Sequence, residues 1–236
     1  MGRAYEVRKA SIQKTGAARG KIYSMYAREI YEVAKNGGTE LESNVALKRL
    51  VDKAKKEQVP SDIIKRAIDK VHSGADESYS TVRYELFGPN GSNVIVDCLT
   101  DNVNRSVSLI RAALNKTSAK MGAMGSVAFM YDNLCIVSFK GLSEDETLEA
   151  LIEAGVDADI ELQGDSIVLY GKPSDLYAIK EAILAKKQVE FDVDEISMIP
   201  KDTVKLEGEA LEDFQKLLNL LDEIEDVNHV YHNVEL

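Results

Sequence analysis

No tryptophan occurs in the sequence, and only two cysteines, three histidines and four prolines do. Cys98 and Cys135 lie in apolar runs, VIVDCL and LCIVSF, so neither a disulfide framework nor a cysteine-built zinc site is supported, and two buried reduced thiols are expected. His229 and His232 stand three apart in a strand-like segment, where that spacing sends them to opposite faces, and no HExxH run accompanies them. No metal and no other cofactor is expected. With His72 the one other histidine, and with no serine elbow or cysteine–histidine signature, hydrolytic chemistry lacks its usual base. The reading is a protein that is not an enzyme and takes no small-molecule substrate. No uncharged apolar run approaches the ~18 residues that a membrane span requires, and the first residues are charged where a signal peptide has an apolar core. A cytoplasmic location without membrane contact is therefore expected.

What the chain does contain is charge, unevenly placed. Its 236 residues are 44% hydrophobic and 29% charged, the composition of a soluble globular protein with room for one large domain or several small ones. The formal net charge of −11 hides a division. Residues 1–75 hold 16 Lys and Arg against 9 Asp and Glu, a net +7, while the remainder holds 13 against 31, a net −18. A basic part that meets a polyanion is joined to an acidic part that stays in solution or touches something else. Within the basic part, residues 7–28 carry Arg8, Lys9, Lys14, Arg19, Lys21 and Arg28 and no acid. Small residues between them let the backbone lie against phosphates, and Tyr5 and Tyr23 can stack on bases, whereas Tyr26 falls on a core face. Arg3, Arg8, Lys9, Lys14, Arg19, Lys21 and Arg28 are the candidate nucleic-acid contacts.

Periodicity divides the chain into three domains. Apolar residues at three- and four-residue steps from Ile22 to Ala34, stopped by Gly37-Gly38, predict a helix; a second starts near Ser43-Asn44, and a third at Pro60-Ser61. SGADES then reads as a linker, so residues 1–78 form a basic helical domain. The period changes to two in TVRYELFGPNGSNVIVDCLT, a β-hairpin turning at Gly88-Pro89-Asn90-Gly91. A helix capped at Thr100, Asp101 or Asn102 follows, and after Gly122 and Gly125 a strand, SVAFMY. Residues 134–199 read strand, helix, strand, strand, helix, strand, the βαββαβ order of a ferredoxin-like unit. The last helix and strand cannot bury their own faces and return to the preceding segment. Residues 79–133 plus 200–236 thus make a discontinuous α+β domain, with 134–199 inserted in it.

The glycines of KMGAMGSVAFMY tempt a phosphate-loop reading, but they follow a helix and precede a strand, the reverse of the order such loops need. A tight turn is the plainer reading, although Met121 and Met124 can also touch a partner adaptively. Acidic groups such as Glu144-Asp145 and Asp222-Glu223-Glu225-Asp226 read as solvated helix surface.

GRAYEVRKA, KIYSMYAREIYEVAKNGG, RYELFGPNGSNVIVDCLTDNVNRSV, GAMGSVAFMYDN and the terminal VYHNV occur in order over the whole chain, which by these motifs resembles the YebC/PmpR family, and its YeeN-like branch in particular. The resemblance implies a multidomain α+β fold: an N-terminal three-helix domain followed by two α+β ferredoxin-like domains, one inserted in the other. Members are named probable DNA-binding transcriptional regulators; a mitochondrial relative is a translational activator, and members are linked to ribosomes stalled on proline-rich stretches. The commoner branch opens Gly-His-Ser-Lys-Trp, where this chain has Gly2-Arg3-Ala4-Tyr5, so the cation positions match better than the aromatic one. LTDNVNR and GAMGSVAFMY are signature stretches of the family. They make Asn102, Asn104, Arg105, Met121 and Met124 a second set of contact candidates, with Asn102, Asn104 and Arg105 equally readable as helix capping.

Two functions of different kind follow. One is a DNA-binding transcriptional regulator, although no helix-turn-helix, zinc finger or evident recognition helix is present and specificity would rest on DNA shape. The other is a translation factor that binds rRNA or tRNA on the ribosome and assists difficult, proline-rich stretches. Both place the contact on the basic N-terminal domain.

Overall fold

The computed structural model describes residues 19–73 and 78–236. Arg3, Arg8, Lys9 and Lys14, together with residues 74–77 of the expected linker, lie outside the described residues. Two compact units emerge: residues 128–205 with 231–236 form one, and the described residues up to 127 with 206–230 form the other.

Helices α1 (Arg19–Gly37), α2 (Val45–Lys56) and α3 (Ser61–Asp69) open the chain. Their apolar stripes meet in a core of Tyr26, Ile30, Ala34, Leu47, Val51, Ala54, Ile64 and Ala67. Asn44, only 6% exposed, closes the turn between the first two helices. Its Oδ1 accepts the Leu47 N–H at 3.0 Å, and its amide donates to the Val33 and Gly38 carbonyls at 3.1 and 2.8 Å. The Gly37-Gly38 stop has two causes. Gly38 adopts φ +93°, and a β-carbon on Gly37 would lie 2.6 Å from the Asn44 side-chain nitrogen.

Strands β1 (Ser80–Phe87) and β2 (Asn93–Thr100) form the expected hairpin, antiparallel from Ser80–Thr100 to Phe87–Asn93. Its turn takes Asn90 and Gly91 to φ +51° and +79°. Helix α4 (Val103–Leu114) begins at the Asn102 cap, and β3 (Lys120–Met121) pairs with β1. The strand expected over SVAFMY does not form there. A turn through Val127 and a short 3-10 segment, Ala128–Met130, precede β4, which begins only at Tyr131; Glu85 takes the Val127 amide and that of Gly125 just before the stretch.

The next unit runs β4 (Tyr131–Lys140), α5 (Glu144–Ala154), β5 (Ala158–Gln163), β6 (Ser166–Gly171), α6 (Leu176–Lys186) and β7 (Phe191–Pro200). Its sheet order β5-β6-β4-β7, with antiparallel neighbours, is the ferredoxin-like arrangement. Ser143 and Glu146 form a reciprocal capping box at the start of α5, and Gly155 ends it at φ +65°. Phe139, Leu151, Leu169 and Ile179 are buried between sheet and helices, each stabilising by roughly 1.5–3 kcal/mol. Cys135 joins this core as a free thiol.

Helix α7 (Gly208–Asp222) then packs beside α4, and β9 (Val227–His232) joins β2, giving the first sheet the order β3-β1-β2-β9. Its chain order, two strands, helix, strand and later helix and strand, is α+β but not βαββαβ. A parallel pair of β8 (Val204–Lys205) and β10 (Val234–Glu235) completes the fold. Among the described residues no helix is long and apolar enough to cross a membrane.

Candidate nucleic-acid interface

Helix α1 presents two chemically opposite faces. Tyr23, Ala27 and Tyr31 recur at four-residue steps, which places them in one row along a helix, with Ser24 and Arg28 beside them. This row meets Ile63, Arg66, Ala67 and Lys70 of the α3 segment and Tyr79 ahead of β1, around a cavity of about 330 Å³. Among the described residues that line it, none is acidic. Tyr31 and Tyr79 meet edge to face at 6.1 Å and 76°, and the ammonium groups of Lys35 and Lys70 each lie 5.8 Å from the Tyr31 ring centroid.

The other face of α1 contributes Glu29, Glu32 and Val33 to a second cavity of about 320 Å³, shared with Arg49, Asp97 and His229 among others. Three of its lining residues are carboxylates. Glu29 accepts from Asn228 at 2.7 Å and faces His229 at 3.4 Å. Burial pushes the Glu29 carboxyl up, but these bonds and the neighbouring charges outweigh it and hold the group below its ordinary range.

Two of the candidate cations act inside the fold. Lys21 donates to the carbonyl and the carboxylate of Asp222 at the end of α7, and burial holds its pKa below the ordinary lysine value. Arg28, its side chain 12% exposed, donates to the Glu225 carbonyl at 2.6 Å and to Asp226 Oδ1 at 3.4 Å. The Asp226 side chain is 3% exposed. It also accepts from Arg105 at 2.7 and 3.1 Å, Ser106 Oγ at 2.8 Å and Thr100 Oγ1 at 3.1 Å. Burial alone would raise this carboxyl; its donors more than offset that, and it sits below its usual range. Lys21 therefore docks α1 onto the end of α7 and Arg28 docks it onto the acidic turn that follows. Arg19 opens α1.

The second set divides in the same way. Asn102 caps α4, its Oδ1 accepting the Arg105 N–H at 3.0 Å, and Arg105 bridges Asp226 and Asp101. Asn104 is exposed, and its carbonyl accepts the Ser108 hydroxyl at 2.7 Å. Met121 is half-buried in β3, whereas Met124 is 93% exposed. The loop carrying Met124 is gathered around Glu85, a 4% exposed residue whose carboxylate accepts the Gly125 and Val127 amides and whose carbonyl accepts that of Gly122. Its amides thus already serve a carboxylate of the protein.

Tyr31, Arg66, Lys70 and Tyr79 were not singled out by the sequence. The row Tyr23–Ala27–Tyr31 and the spacing of Ile63, Arg66, Ala67 and Lys70 are visible there, but only folding brings the two rows to one hollow.

Among the described residues a helical head precedes two α+β parts. Residues 3–74 match the family described as the TACO1/YebC protein N-terminal domain, and residues 79–234 match the TACO1/YebC second and third domain. A probable transcriptional regulatory protein of Marinobacter nauticus is 47% identical over 100% of this chain and 99% of its own length. One of Alteromonas mediterranea is 44% identical, covering 99% and 98%. A crystal structure of a conserved hypothetical protein from Aquifex aeolicus superposes with a TM-score of 0.77 at 33% identity, over 94% of this chain and 93% of that one. The chain belongs to the TACO1/YebC family.

Proposed function

We propose that this protein is a nucleic-acid-binding regulatory protein, not an enzyme, that meets its polyanion through the basic N-terminal part. The observation that carries this reading is the cavity of α1 and α3, lined among the described residues by tyrosines and cations, in a part of the chain whose net charge is +7. The names of the Marinobacter and Alteromonas relatives support a regulatory role and favour DNA. In this reading Arg3, Arg8, Lys9, Lys14 and Arg66 meet phosphates, while Lys21 and Arg28 hold the helix that presents them. Asn104 on α4 and Met124 on the loop after β3 remain contact candidates beside the first sheet.

Filter binding over a salt series tests the reading. Five phosphate contacts give a slope of log affinity on log salt near about −4.5 for duplex DNA and about −3.5 for single-stranded RNA. Retention of neither nucleic acid, or a slope near zero for both, overturns the reading. The tyrosines of the cavity favour a second reading, a ribosome-associated translation factor that binds rRNA or tRNA and assists proline-rich stretches, because stacking needs unpaired bases. It requires co-sedimentation with ribosomes that high salt reverses, and no preferred duplex sequence.

A further inference from the structure

We propose that the cavity between α1, α3 and Tyr79 is a site for one unpaired nucleotide of a single strand, with its base against the Tyr23 and Tyr79 rings and its phosphate beside Arg66 and Lys70. This deepens the nucleic-acid reading and rests on it. A volume of about 330 Å³ lies at the lower end of the roughly 300–1,000 Å³ usual for ligand sites, which suits a single nucleotide. The described lining combines flat rings with cations, a pairing that selects a ligand both aromatic and anionic; the nearby Glu32 carboxylate is engaged with the Tyr79 amide at 3.2 Å. Arg66 is exposed, and its Nε is bound to the Asp62 carbonyl at 3.1 Å, which steadies the guanidinium at the cavity wall. Lys70 stands 5.8 Å from the centre of the buried Tyr31 ring, which places its charge at the cavity wall.

A base paired inside a duplex keeps both faces stacked and cannot enter a concave hollow; an unpaired base can be turned out into it. The second cavity is an internal contrast. It is of equal size, adjoins the same helix and is lined by Glu29, Glu32 and Asp97, which repel a phosphate.

The test uses the full chain and a short single-stranded RNA in which a fluorescent adenine analogue is moved along the strand. At one position binding is expected to quench the fluorophore saturably, and the same strand in a perfect duplex is expected to show no quenching. Tyr23→Leu is expected to weaken binding by about tenfold and abolish the quenching, while Tyr23→Phe keeps both. Arg66→Gln is expected to weaken binding several-fold; Arg49→Gln, which removes the same charge from the other cavity, leaves quenching intact. Far-UV circular dichroism and thermal melts confirm that the variants fold. Binding of the RNA with no quenching at any position, or with Tyr23→Leu and Arg66→Gln unchanged, overturns the site while the nucleic-acid reading stands. Equal affinity for free adenosine monophosphate overturns the strand assignment in favour of a free nucleotide. Absence of any binding to RNA or DNA overturns the broader reading itself.

Discussion

Arg28 and Asp226 are 198 residues apart in sequence and 3.4 Å apart in space, and the Asp226 carboxylate also accepts from Nε and Nη2 of Arg105. A cation that the sequence offers to a polyanion is thus matched by a buried anion of its own chain.

Asp226→Asn leaves Arg28 and Arg105 facing a neutral group and is expected to cost about 2–4 kcal/mol, read as a lower urea midpoint at unchanged m-value. The same carboxyl is expected to contribute to acid stability. Its pKa, like that of Glu29, is depressed in the folded state, so its contribution is present above the unfolded carboxylate range and is lost as pH falls through the depressed value. Unfolding free energy is expected to decline as pH drops below about 4, and less steeply in Asp226→Asn than in the parent. Equal acid slopes would contradict this.

Six of the seven opening cations are expected to separate into two groups, Arg3, Arg8, Lys9 and Lys14 against Lys21 and Arg28. Reversal of Arg3, Arg8, Lys9 and Lys14 to Glu abolishes nucleic-acid retention without shifting the melting temperature. Lys21→Glu sets like charges together at Asp222 and lowers the melting temperature by several degrees. If the fourfold reversal melts early, or Lys21→Glu melts like the parent, the division fails.

Glu85→Gln removes the charge that gathers the Gly122–Val127 loop. Hydrogen exchange at the Gly125 and Val127 amides is expected to accelerate by more than tenfold, with about 1.5–3 kcal/mol of stability lost, since each bond to a carboxylate is charge-assisted. Unchanged exchange at both amides would mean that the loop holds itself.

Local signals in this sequence were reliable where the stabilising partner is local. The Asn44 cap, the Gly37-Gly38 stop, the hairpin turn at Asn90-Gly91 and the Ser143 helix start each depend on groups within a few residues, and each appears where the pattern placed it. SVAFMY failed for the opposite reason. Its alternation suits a strand, but Glu85, about 40 residues earlier, takes the Val127 amide and that of Gly125 beside it into a turn. The same blindness affected the site: nothing near Lys21 or Arg28 announces Asp222 and Asp226, and no short pattern links Tyr31 to Tyr79. Of the candidate cations, those with distant carboxylates were the ones a charge count could not sort.

The wide separation of Arg28 from Asp226 also sets a timetable for biosynthesis. At about 5–20 residues per second, the arginine is polymerised roughly 10–40 s before its carboxylate, and the intervening ferredoxin-like unit is made in that interval. A nascent chain therefore carries α1 with its docking cations uncompensated until the turn before β9 is translated, and the seam between helical head and sheet is among the last parts of the molecule to close.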